Sequence, residues 1–325
     1  MIYHFPFDAA PLQRTKLAYA NLPGILSDGK RDRQARVPGF VAMQLGERCF
    51  LVFLRGGEPF YAARLTPQAR EPASLAEVLR LASAEIERGE GGHIGFYTAS
   101  PEQLLAMLST LVQAPVALDD AMDARSPERL FPVLRDRAFS GILELASEEG
   151  FHHYLSFRGG AFLRGWFAGQ ACGTPVPEVI RSIFAGAPLR AGLFPALAEL
   201  PVQAGPGLVD LYRRVLGGTL REVALATGRD PALELLRQAR SAAAAECAAV
   251  TRFEITPDGR VAGDPVAAPD ELTAAVARWV TEVLSAAAEH HGVDPAAVVE
   301  KVGRDSRYVL QEHGFFARLP WAPVL

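Results

Sequence analysis

Cysteine is scarce in this 325-residue chain: Cys49, Cys172 and Cys247 are odd in number and far apart. No C-x-x-C pair occurs, so neither a disulfide framework nor a zinc knuckle is expected, and a reducing cytoplasm suits the composition. The chain also lacks any run of about 18 apolar residues, so no membrane-spanning helix is expected. The opening stretch MIYHFPFDAAPLQRTK lacks a basic region leading into an apolar one, so no secretory signal is expected. A strong charge imbalance is missing too: 33 basic and 37 acidic residues leave a net charge of −4. That gives no reason to expect nucleic acid or another polyanion as partner.

The signatures of catalysis are equally sparse. There is no Gly-x-Ser-x-Gly elbow, no phosphate-binding Gly-x4-Gly-Lys-Ser/Thr loop and no His-Glu-x-x-His helix. GEGGHIG (89–95) is glycine-rich but follows a helical pattern instead of opening one, which is the wrong place for a phosphate cradle. His152-His153 falls within an extended pattern. Adjacent strand residues face opposite ways, so the two cannot chelate one metal and read as ordinary strand histidines. His290-His291 sits at a helix C-terminus, where imidazolium complements the helix dipole. No catalytic residue, cofactor or metal is assigned.

What the chain does have is an apolar content of 49%, enough for the cores of two or three domains. Lysine is scarce beside arginine and alanine, a bias associated with GC-rich bacterial genomes. It also has an internal likeness. FLVFLRGGEPFYAARL (50–65) and HYLSFRGGAFLRGWF (153–167) each place Arg-Gly-Gly between two apolar, aromatic-rich runs. Aligning Gly39 with Gly141 keeps the alternating apolar positions of a strand in step. One extra residue in the second loop then brings Arg55-Gly56-Gly57 onto Arg158-Gly159-Gly160. Helical patterns follow in both stretches, AEVLRLA (76–82) and PEVIRSI (177–183), and each leads to a further strand and helix.

The expected fold is therefore α+β: two tandem repeats of antiparallel hairpin sheet plus helices, over 1–115 and 125–218. A mainly helical domain is expected over 219–325. There Thr219-Leu-Arg-Glu222 has the spacing of a capping box, and Asp230-Pro231 reads as the start of an alanine-rich helix. FEITPDGRVAG (253–263) reads as two short extended pieces around a turn.

The second repeat, FSGILELASEEGFHHYLSFRGGAFLRGWFAG and then PEVIRSIFAGAPLRAGLFPA, resembles the PATAN-type (PatA N-terminal-like) domain of bacterial signalling proteins. Phe139, Ser140, Gly141, Leu143 and Leu145 match that family's opening strand. Phe157, Gly160 and Phe162 match its hairpin, and Glu178, Ile180 and Ile183 its helix. The sequence departs from the pattern after the third strand, where AGQACGTPVP and TPQAREPAS intervene. The resemblance implies a non-enzymatic cytoplasmic signalling or scaffold role, through another protein of a bacterial signalling or motility system, with a homodimer left open. Two alternatives stand beside it: a nucleotide or metabolite sensor binding between the repeats, and an enzyme with an unrecognised site. The contact residues singled out are Arg55 and Arg158, exposed where a glycine pair turns the chain, and Arg31 and Arg33 in the basic stretch KRDRQAR.

Overall fold

The computed structural model describes residues 2–20, 38–88, 91–116, 126–170, 174–186 and 188–321. The basic stretch with Arg31 and Arg33, and Cys172, lie outside the described residues. The chain divides into two compact units, residues 1–73 with 78–201, and residues 74–77 with 202–325. It is an α+β protein whose sheets are antiparallel.

The first unit holds two sheets. One contains β1 (Ala9–Lys16), β2 (Gly39–Leu45), β3 (Arg48–Arg55), β4 (Glu58–Leu65), β5 (Arg70–Pro72) and β6 (His93–Thr98). Their order is β1-β6-β2-β3-β4-β5. The other contains β7 (Gly141–Ser147), β8 (His152–Arg158), β9 (Ala161–Phe167) and β10 (Leu189–Phe194), in the order β10-β7-β8-β9.

The four strands of the second sheet and the central four of the first share one register. Gly39 pairs with Leu54 and Gly141 with Phe157. A β-bulge interrupts the next pairing at the same step, between Phe53 and Leu54 in one sheet and Ser156 and Phe157 in the other. The turns match as well: φ is 59° and 82° at Gly56 and Gly57, and 56° and 79° at Gly159 and Gly160. Two successive positive φ values define the tight turn that suits a right-twisted hairpin, and only glycine adopts them without strain. Gly39 and Gly141 answer another constraint, since a Cβ there would lie 2.2 Å from Tyr97 O and 2.3 Å from Phe194 O.

Helices α1 (Leu75–Arg88), α2 (Pro101–Val112), α3 (Pro127–Asp136) and α4 (Val176–Ala185) accompany the sheets. Ser100 caps α2 by accepting from the Gln103 amide at 3.2 Å. Leu104, Met107, Leu108 and Leu111 of α2 pack with Phe40, Leu51 and Phe53 of the first sheet and with Ile142 and Tyr154 of the second. On the other face of the second sheet, Leu143, Leu145, Leu155 and Phe157 pack with Leu130 and Leu134 of α3 and Val179 and Ile183 of α4. Each large apolar side chain buried this way contributes about 1.5–3 kcal/mol.

The second unit is mainly helical: α5 (Pro206–Thr227), α6 (Arg229–Glu246), α7 (Pro269–His291), α8 (Pro295–Gly303) and α9 (Arg307–Glu312). β11 (Glu254–Ile255) and β12 (Val261–Ala262) flank the Pro-Asp-Gly turn. Trp279, fully buried on α7, donates its indole N–H to Leu236 O of α6 at 2.7 Å. Two local readings of the sequence are corrected here. Thr219 is not a cap: α5 runs through it unbroken, and Thr219 is 1% exposed within the helix core. Asp230 is not an N-cap either, because Gly228, with φ of 85°, occupies that position and α6 opens at Arg229. The expected stops hold, with Gly292 left-handed after His290-His291 and Asp294 capping α8.

Candidate functional site

Arg55 and Arg158 occupy equivalent positions before the two glycine turns and are exposed. The second turn is buttressed: the Gly159 amide donates to Ser140 Oγ at 2.8 Å, and the Gly160 amide to Phe139 O at 2.8 Å. The buried ion pair of the first unit lies elsewhere than at those arginines.

It begins at Glu144, in the middle of β7. Glu144 lies on the strand face of Ile142 and Ala146, which turns toward α2, and its side chain is 4% exposed. A lone buried carboxylate is costly, and two neighbours offset that cost. The Arg70 guanidinium of β5 grips Glu144 Oε2, and His152 Nδ1 donates to Oε1 at 2.9 Å. Tyr154, directly opposite in the β7–β8 register, is buried and hydrogen-bonded with Thr110 of α2. Burial by itself would raise the Glu144 carboxyl. The His152 hydrogen bond and the Arg70 charge outweigh it and hold the carboxyl below its ordinary value. Glu144 is thus ionised with both oxygens engaged, which suits an internal tie more than a general base.

The two histidines of β8 do face opposite ways, but both are buried, at 3% and 4% exposed. Both are strand histidines, each with its own partner. His152 joins the ion pair and stacks against Phe5, with ring centroids 5.1 Å apart and planes 17° apart. His153 accepts from the Ala168 amide at Nδ1, 3.1 Å away. Burial, aided by nearby His152, lowers its pKa to about 4, so it is neutral near pH 7. Residues 3–5 run beside the start of β8, where the His4 amide donates to Gly150 O and the His152 amide to His4 O, each at 2.9 Å.

Two recesses flank the tie. A small cleft of about 130 Å³ is lined by Tyr3, Arg70, Ser147, His152 and Arg190 among others. A wider groove of about 380 Å³ shares Arg70 and Arg190 and continues past Thr110, Gln113 and Phe194. Cys49, at the position in β3 equivalent to His152, is buried, and burial pushes its thiol up to about 12, far from a reactive thiolate. Among the described residues, no group of three or more His, Cys, Asp or Glu is placed to hold a metal ion, and no helix is long and apolar enough to cross a membrane.

The other surface of note is the outer edge of the second sheet. In the first sheet β4 is followed by β5, which pairs with Ala63–Leu65, and Phe60 and Tyr61 are each 5% exposed. In the second sheet no strand among the described residues pairs with the outer edge of β9. Ala161 through Arg164 are exposed there, Phe162 at 38% and Leu163 at 52%. The sequence reading singled out neither the ion-pair tie nor this edge. The chain matches no family model, no characterised protein and no solved structure.

Proposed function

We propose that this chain is a non-enzymatic regulatory protein that acts by binding another protein, and that its two sheets are tandem copies of one PATAN-like unit. The shared register, bulge and turn support the second part. The edge of β9, unpaired among the described residues, carries the first. An unpaired row of backbone donors and acceptors is a template for an added strand, and proteins ordinarily blunt or cover such edges. Here the edge presents Phe162 and Leu163 beside Arg158 and Arg164, all exposed. The complementary occupant is an extended segment with apolar residues and at least one carboxylate. A role in bacterial signalling, in the cytoplasm, is part of this proposal.

A photo-crosslinking residue at Leu163, set against one at Glu58 in the native host, tests it. The expected result is one discrete partner captured from position 163 and absent from position 58. The purified partner should then slow hydrogen exchange across 161–167. A partner that protects some other surface, or no partner together with measurable turnover, overturns the proposal.

A further inference from the structure

The tie leaves one cation unused. Arg70 is committed to Glu144, but Arg190 of β10 is exposed and has no ion pair among the described residues. Both guanidiniums line the same small cleft and both act electrostatically on the Tyr3 phenol. Glu144 has both oxygens engaged and the lining of the cleft holds two guanidiniums and, among the described residues, no carboxylate, with Glu47 the acidic group that also acts on the Tyr3 phenol. Tyr3 supplies the second, independent observation. Its hydroxyl is buried and meets no hydrogen-bond partner among the described residues, although Tyr3 lines the cleft. A buried O–H without an acceptor is a costly feature unless an acceptor arrives from outside. Arg70 also keeps donors to spare, since a guanidinium carries five N–H groups.

The size of the cleft sets the kind of acceptor. At about 130 Å³ it has room for a tetrahedral oxyanion. We infer that Tyr3, Arg70 and Arg190 form a binding site for a phosphoryl group, either free phosphate or the head of a small phosphate ester. In the ester case the body of the molecule follows the two arginines into the wider groove. Forked arginine donors suit such an oxyanion, and the tyrosine adds a third direction of approach. The site does not depend on the β9 edge, so it stands or falls separately from the proposed protein partner.

The test is equilibrium binding and thermal unfolding of the full chain with inorganic phosphate, glycerol 3-phosphate and acetate, at ionic strength matched with chloride. Phosphate or its ester should bind and raise the melting temperature, because a ligand of the native state alone stabilises it. Equal affinity for the two points to the free ion, and tighter binding of glycerol 3-phosphate points to an ester. Arg190→Ala should weaken binding at least tenfold, with Arg190→Lys intermediate. Tyr3→Phe should weaken it several-fold while melting no lower than wild type without phosphate, since its hydroxyl has no protein partner to lose. Affinity for phosphate no greater than for acetate or chloride, or unchanged in Arg190→Ala, overturns the site. So does a Tyr3→Phe protein that melts lower in the absence of phosphate.

Discussion

The two sheets of the first unit are built on one register and filled with different chemistry. Where the first sheet has Ala42, Cys49 and Phe50, the same register positions of the second carry Glu144, His152 and His153. The first sheet is flanked on both sides, by β1 and β5, while among the described residues the second ends on β9. The backbone pattern therefore dictates neither polarity nor edge. The buried charge of the second sheet, Glu144, is held by His152 of its own sheet and by Arg70, 74 residues earlier in the chain, which the strand flanking the first sheet delivers. The extra strand of one sheet thus shares with His152 the task of making the buried carboxylate of the other tolerable.

The largest expected effect comes from breaking that dependence. Glu144→Gln leaves Arg70 charged and half-stripped of water with no counter-charge, at a cost of about 3–5 kcal/mol in urea unfolding. The nearby Arg64–Glu71 pair joins β4 to β5 with side chains 33% and 41% exposed, and Glu71→Gln should cost under about 1 kcal/mol. Converting both ends of the buried pair, as Arg70→Met with Glu144→Leu, should recover most of the loss. If Glu144→Gln is as mild as Glu71→Gln, the tie is not what joins the two sheets.

His153 makes the comparison readable by pH. Its folded value of about 4 lies below the 6.5 of a free imidazole. The unfolded chain therefore takes up the proton first, and stability falls as pH drops from 6.5 to about 4. At 1.36 kcal/mol for each unit, the full loss is about 3 kcal/mol. His4, whose value is also lowered, first by burial, adds to the same window. Glu144 acts lower down: its depressed carboxyl contributes stability above the ordinary carboxylate range, and that contribution is lost as pH falls through its folded value. His153→Phe, which copies Phe50 of the first sheet, should remove most of the slope between pH 6.5 and 4. It should also lower stability at pH 7, because the Ala168 amide loses its acceptor. An unchanged slope would place the titrating group elsewhere.

The hairpins were legible in the sequence because alternation and a glycine pair are local signals. β1 was not: it buries few of its side chains, so AAPLQRTK shows no alternation, and it is a strand because β6 offers an edge. Glu144 between two leucines reads as a residue facing water, and only the hairpin register sets it beside His152. Arg70 lies in a polar connection whose partner no nearby residue announces. In α5, Thr219 and Glu222 have cap spacing, yet the helix passes through them. A Cβ at Gly218 would lie only 3.0 Å from Val302, so glycine there answers close packing and does not mark a helix end.

The turns should show smaller effects. Gly56→Ala and Gly159→Ala each force a side chain into left-handed backbone with open space around it, at about 1 kcal/mol apiece. Gly160→Ala should cost at least twice that, because its Cβ would lie 2.4 Å from Arg135 Cα of α3 as well. Equal losses at Gly159 and Gly160 would mean that α3 yields to the turn.

The smallest effect is expected at the residues the sequence made most conspicuous. Arg55→Ala and Arg158→Ala remove exposed side chains at equivalent strand ends, and each should change stability by less than about 0.5 kcal/mol. Their equivalence ends with what lies beside them. Arg158 borders the open strand with Phe162 and Leu163, whereas Arg55 borders a strand whose Phe60 and Tyr61 are buried. Binding of an acidic extended partner should therefore weaken in Arg158→Ala, more so at low salt, where exposed charges are least screened, and stay unchanged in Arg55→Ala. Calorimetric titration of both variants in 50 mM and 500 mM salt decides it. Equal weakening in the two would mean that the partner reads the duplicated turn, and no weakening in either would leave Arg-Gly-Gly as backbone geometry with an arginine that happens to precede it.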